Sequence, residues 1–161
     1  MYPGDTVTRR PRPGVNNSTF ARTRPPGYRI TKILKTMKFF IQAGAILGLI
    51  GVGLGAFGAH ALRTMLDATG RAATFETAVK YQFYHALALV LVGVLMQLFG
   101  SNPTTAKLLA WSGNSFLIGT FIFSGSLYVL CFTGITWLGA ITPLGGVALI
   151  IGWALLFWSF W

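Results

Sequence analysis

Carboxylates are almost missing from this chain: Asp5, Asp67 and Glu76 are the only three in 161 residues. Chemistry run by paired carboxylates, or by a metal that carboxylates hold, has nearly nothing to draw on. Cysteine is scarcer still, because Cys131 stands alone and an internal disulfide is excluded. It reads as a small apolar filler in a helix. Histidine occurs twice, at His60 and His85, and there is no G-x-S-x-G elbow and no H-E-x-x-H metal motif. The one catalytic arrangement the residue types allow, Ser124 or Ser126 with His85, is not brought together by spacing, so no enzyme and no catalytic residue is expected.

What the chain has in abundance is apolar residues and glycine. It is 53% hydrophobic and only 10% charged, with 20 glycines and a mean hydropathy of +0.62. Apolar runs of about 20 residues are long enough to cross a bilayer core roughly 30 Å thick. Four spans are expected, over about residues 39–60, 77–99, 108–132 and 135–160. The fold class is therefore all-α: an integral membrane bundle of four transmembrane helices. Between the first two spans "ALRTMLDATGRAATFE" is too polar to cross, and with Leu62, Met65 and Leu66 on one side it reads as a short interfacial helix. "GSNPTT" and "TGIT" are turns. Trp111, Trp137, Trp158 and Trp161 sit near span ends as an aromatic belt does, while Trp153 falls deeper and reads as packing.

The net charge of +10 is unevenly placed. Residues 1–36 hold eight Lys and Arg against Asp5 alone, which is +7, and the remaining residues carry +3. With Pro3, Pro11, Pro13, Pro25 and Pro26 and no apolar periodicity, residues 1–36 read as a disordered basic leader. It lacks the reading element and stacking aromatics of a nucleic-acid module, so nucleic acid is not an expected partner. Two origins remain open for it: a cytoplasmic or targeting tail, or sequence upstream of a true start at Met37, where the composition breaks. Residues 37–161 form the membrane domain. With the leader's charge counted the N-terminus lies inside, whereas without it the loop charges nearly balance.

Helix association in lipid depends on small residues that allow close approach. Gly44, Gly48, Gly51, Gly55 and Gly58, spaced four, three, four and three, form a seam down the first span. It can pack inside the monomer, against a second copy, or against a larger membrane complex. Ser112, Ser115, Gly119, Ser126 and Thr133 make a small polar stripe on the third span, read as helix packing over an ion path because it holds no carboxylate. The single break at Pro143, Gly145 and Gly146 lacks the matched partner of an inverted-repeat transporter.

A candidate polar cluster gathers at the start of the second span. Tyr81 and Gln82 lie four and three residues before His85, on one helical face, while Glu76 falls on another and suits Lys80. Two histidines on separate helices, His60 and His85, can ligate a haem or metal. The plainer alternative gives each one buried hydrogen bond, His85 to a serine of the third span. No further ligand completes a metal shell, and no metal or cofactor is expected.

"GAFGAHAL" (Gly55 to Leu62), "FETAVKYQFYHALAL" (Phe75 to Leu89), "FSGSLY" (Phe123 to Tyr128) and "LGAITPLGG" (Leu138 to Gly146) are long, ordered blocks. The chain from Met37 to Trp161 resembles the small four-helix membrane family of unknown function that includes bacterial YgdD-like inner-membrane proteins and an animal transmembrane relative. The resemblance implies an all-helical integral protein of a bacterial inner membrane and brings no reaction with it. Gly58, His60, Phe75, Glu76, Tyr81, Gln82, Tyr84, His85, Ser124, Ser126 and Pro143 fall on its motif blocks as candidates for a shared structural or binding role. Three roles follow from the residues: an accessory or scaffold protein, a small-molecule or cofactor carrier, and a transporter or channel component.

Overall fold

The computed structural model describes residues 26–161. The expected leader therefore lies outside the described residues up to position 25. From Pro26 onward that expectation is replaced, because helix α1 runs Pro26–Ala59 and passes through Met37 without a break. Pro26 is the first described residue of this helix, and no proline follows it before Ala59. Ile33, Met37 and Phe40 then recur at helical spacing, and Met37 and Phe40 are buried.

A short helix α2 (Arg63–Ala68) follows, then α3 (Ala72–Phe99), α4 (Pro103–Thr133), a 3₁₀ turn (Thr136–Ala140) and α5 (Thr142–Trp158). Four stretches, Thr31–Ala59, Ala72–Phe99, Pro103–Thr133 and Thr136–Trp158, are long and apolar enough to cross a membrane. Helices satisfy their own backbone groups, which is what hydrocarbon demands of a spanning segment. The second and third spans begin earlier than the apolar runs, at Ala72 and Pro103, because their first turns are polar yet helical. The fourth is not one α-helix, since Pro143 is confined to the first turn of α5 and the 3₁₀ turn precedes it.

Local signals set the ends. Asn102 Oδ1 accepts from the Thr104 and Thr105 amides at 2.9 and 3.4 Å, capping α4 ahead of Pro103. Gly134 closes the same helix at φ 76°, a left-handed cap that a side chain would strain. Arg71, between α2 and α3, donates from Nη1 to the Cys131 carbonyl at 3.2 Å. A cation thus sits on the last turn of α4, where the helix dipole favours it.

The helices pack in chain order, α1 on α3, α3 on α4 and α4 on α5, and no comparable packing joins α1 to α5. Phe40, Leu89, Leu109 and Phe116 are fully enclosed at the centre. In lipid such contacts hold by dispersion and fit more than by expulsion of water, so close backbone approach matters. Gly113 lies under the Phe40 ring, and a Cβ built on Gly145 would come 2.5 Å from the Phe123 backbone nitrogen.

Successive crossings sort the charges into two ends. Lys32, Lys35 and Lys38 of α1 lie at the end where α4 begins with Lys107, and no carboxylate accompanies them among the described residues. Asp67 and Glu76 are both at the other end with Arg63, Arg71 and Lys80.

Candidate functional site

The polar residues of the second span divide by helical face, and each face has different neighbours. Gln82 is buried where α3 meets α1 and α4. Its amide Nε2 donates to the Leu47 carbonyl of α1 at 2.7 Å, and its Oε1 accepts from the Tyr128 hydroxyl of α4 at 2.9 Å. One side chain therefore ties three helices. It does not join His85, although the two are three residues apart, because the glycine face of α1 brings a backbone carbonyl within its reach.

His85 turns toward α4 and α5. Its Nδ1 lies 2.8 Å from the Tyr81 carbonyl, and the Trp153 indole Nε1 donates to its Nε2 at 3.3 Å. A carbonyl only accepts and an indole only donates, so these partners select the neutral Nδ1–H tautomer. The ring also lies 5.5 Å from Phe116 and 6.1 Å from Tyr81, centroid to centroid. The expected serine partner is replaced by Trp153, which reaches inward across α4 from a position that sequence assigned to packing.

The serines have other tasks. Ser126 Oγ pairs with Thr142 Oγ1 at 2.8 Å, joining α4 to the start of α5. Ser112 donates to the Gly152 carbonyl at 2.8 Å, which fastens the same two helices at the far end. Ser124 is buried and its Oγ has no hydrogen-bond partner. Thr120 returns its hydroxyl to the Phe116 carbonyl at 2.7 Å.

His60, Tyr84 and Glu76 are not part of this interior. His60 is exposed in the turn that follows α1, and among the described residues no three His, Cys, Asp or Glu side chains come together as a metal site. Tyr84 is outward-facing, and Tyr81, 40% exposed, lays its ring on Phe123 with centroids 4.4 Å apart. Glu76 pairs with Lys80 at 2.7 Å on the exposed surface of α3, a pair that contributes little to stability. It borders a cavity of about 430 Å³ between the end of α1, α2 and the start of α3, with Gly58, Arg63, Asp67 and Phe75 also in its wall. Asp67 is paired with Arg63 at 3.6 Å, so each carboxylate there already has a basic partner.

Chemically, the interior is a set of closed hydrogen bonds. A metal or haem iron at His85 would need Nε2 and would have to displace the Trp153 indole. The α1 glycines are likewise engaged inside the chain. A Cβ on Gly44 would meet the Ala86 carbonyl oxygen at 2.6 Å, one on Gly58 the Phe75 ring at 2.5 Å, and Gly51 and Gly55 look onto Gln82 and Val79. Gly48 alone of the five has nothing within 4 Å.

Arg71, Ser112, Tyr128, Thr142 and Trp153 are the participants that sequence reasoning did not assign to this network. Tyr128 and Ser126 belong to one motif block, "FSGSLY", and Thr142 to another, "LGAITPLGG". A polar side chain inside each block was the available signal.

These features define a small all-helical integral membrane protein with a self-bonded polar interior. The chain belongs to the family described as protein of unknown function (DUF423), which matches residues 54–146. It is 44% identical over 120 residues to the UPF0382 membrane protein of Staphylococcus haemolyticus, covering 74% of this chain and 93% of that one. It is 46% identical over 121 residues to the UPF0382 membrane protein YwdK of Bacillus subtilis, covering 74% and 94%. Both relatives are bacterial membrane proteins, in accord with a bacterial cytoplasmic membrane as the site of this one. No solved structure matches the chain.

Proposed function

We propose that the protein is a non-enzymatic accessory or scaffold protein that acts from its outer surface in the bacterial cytoplasmic membrane. The observation that carries this is the closure of the interior. Gln82, His85, Ser112 and Ser126 all spend their hydrogen bonds on other helices of the same chain or on their own backbone. A conduit or catalytic centre needs polar atoms left free for its substrate, and Ser124 alone is left so among the buried side chains described. The glycine seam supports the same reading with a changed mechanism. Four of its five glycines face α3, so they build the scaffold, and the outward faces of α1 and α5 are where a second copy or a larger complex would dock. With the basic residues ahead of Lys32 counted, the lysine-rich end faces the cytoplasm in this reading.

Photoreactive residues placed at Ile46, Leu49 and Val52 of α1 and at Val147 and Ile150 of α5, all exposed, test this in native membranes. A protein adduct of one defined mass at neighbouring positions on one helix is expected. Lipid adducts alone at every position would refute a docking role.

A further inference from the structure

We propose that the cavity between the N-terminal ends of α1 and α4 binds the headgroup of an anionic phospholipid from the surrounding leaflet. The cavity has a volume of about 480 Å³ and is walled by Lys32 and Thr36 from α1 and Lys107, Trp111 and Asn114 from α4. That is within the range of roughly 300–1,000 Å³ that ligand pockets occupy. Two lysines from different helices thus line one concavity. An anion seated between them would be attracted by both.

No carboxylate of the described chain can serve as that anion, because Asp67 and Glu76 lie at the opposite end and are paired with Arg63 and Lys80. Asn102 does not fill it either, since its side chain is spent on the Thr104 and Thr105 amides. The rest of the wall chooses the kind of anion. Met96, Ala106 and Ala110 supply an apolar floor beside the Trp111 ring, and Trp111 is 59% exposed. From Lys107 to Asn114 the wall descends by roughly 10 Å at the rise of an α-helix. A free phosphate would use the lysines and leave this depth empty. A phospholipid fills both, with its phosphate at Lys32 and Lys107 and the start of an acyl chain along Trp111 and Met96. Basic pockets between transmembrane helices at the cytoplasmic side have this lipid-binding character in general.

The test is native mass spectrometry of the full chain, released from nanodiscs that contain phosphatidylglycerol or phosphatidylcholine with matched acyl chains. The wild-type protein should keep one phosphatidylglycerol, and K32Q/K107Q should keep it at least roughly tenfold less well, the loss expected when charge-assisted contacts to its phosphate are removed. K35Q/K38Q, which removes the same charge from outside the cavity, should retain it. Size-exclusion profiles of all three confirm folding, and exposed lysines of this kind tolerate the change. Equal loss in both double variants would reduce the effect to diffuse surface charge and overturn the site. Equal retention of phosphatidylcholine would also overturn it. Displacement of the lipid by millimolar inorganic phosphate would make the occupant a free anion and refute the lipid assignment.

Discussion

Gly44 and Gly48 form one G-x-x-x-G unit, and alanine should separate them. A Cβ at position 44 would lie 2.6 Å from the Ala86 carbonyl oxygen, 2.8 Å from Val90 Cγ2 and 3.1 Å from the Val90 nitrogen. Two of these are backbone atoms of α3, which move only if the helix moves. Overpacking of this kind costs roughly 1–3 kcal/mol. The change also removes a flexible glycine from a helix interior, which returns about 0.5–1 kcal/mol. Gly44→Ala should therefore lose up to about 2.5 kcal/mol net, near 1 at the middle of both ranges. At Gly48 nothing lies within 4 Å, so only the favourable term remains and Gly48→Ala should be neutral or gain up to about 1 kcal/mol. Titration of dodecyl maltoside micelles with sodium dodecyl sulfate, followed by tryptophan fluorescence, reads both variants on one scale. Equal losses at the two positions would refute the assignment of the seam to α3 and mean that Gly48 has a neighbour outside the chain.

The interior network yields three further predictions. Gln82→Leu leaves the Tyr128 hydroxyl without its acceptor and loosens α1, and should cost roughly 1–3 kcal/mol in the same titration; an unchanged midpoint would show that the amide does not tie the helices. A double-mutant cycle of His85→Phe and Trp153→Phe should return a coupling of about 0.6 kcal/mol and at most about 1.7, the average and maximum for interhelical hydrogen bonds in membranes, and zero coupling would discard the 3.3 Å contact as a bond. Ser124→Ala removes a buried hydroxyl that has no partner and should leave stability within about 1 kcal/mol of the parent or raise it. A larger loss would reveal a partner, with ordered water the first to look for in an oxygen-labelled infrared difference spectrum.

The number of spans was legible because hydrophobic length alone decides what can cross a bilayer, and the short α2 because its apolar residues share one side. Pairing of Glu76 with Lys80 follows from spacing on one helix in the same way. Contacts between helices were not legible. Helical spacing placed Gln82 beside His85, but it could not state that α1 presents Leu47 to one and α5 presents Trp153 to the other, since that depends on which faces meet. Residues 26–36 were not legible for a related reason: the prolines ahead of them suggested a break in helix, whereas none lies between residue 26 and the end of α1. The glycine seam was visible, yet only the fitted helices distinguish the crowded Gly44 from the open Gly48. Arg71 gave no periodic signal at all, being a single loop cation whose acceptor lies 60 residues away at Cys131.

The 3₁₀ turn ahead of α5 has a consequence for the kind of bilayer that suits this protein. The 28-residue α3 and 31-residue α4 extend for roughly 42 and 46 Å at 1.5 Å per residue. The 17 residues of α5 reach only roughly 26 Å, short of a typical hydrocarbon core. The edge of the bundle bearing α5 thus matches the membrane only by counting the 3₁₀ residues into the span. That edge has less length to spare than the one bearing α3 and α4, so hydrophobic mismatch is distributed unevenly around the perimeter. Thicker bilayers would stretch the α5 edge first, and the protein would partition toward the thinner membrane when offered both.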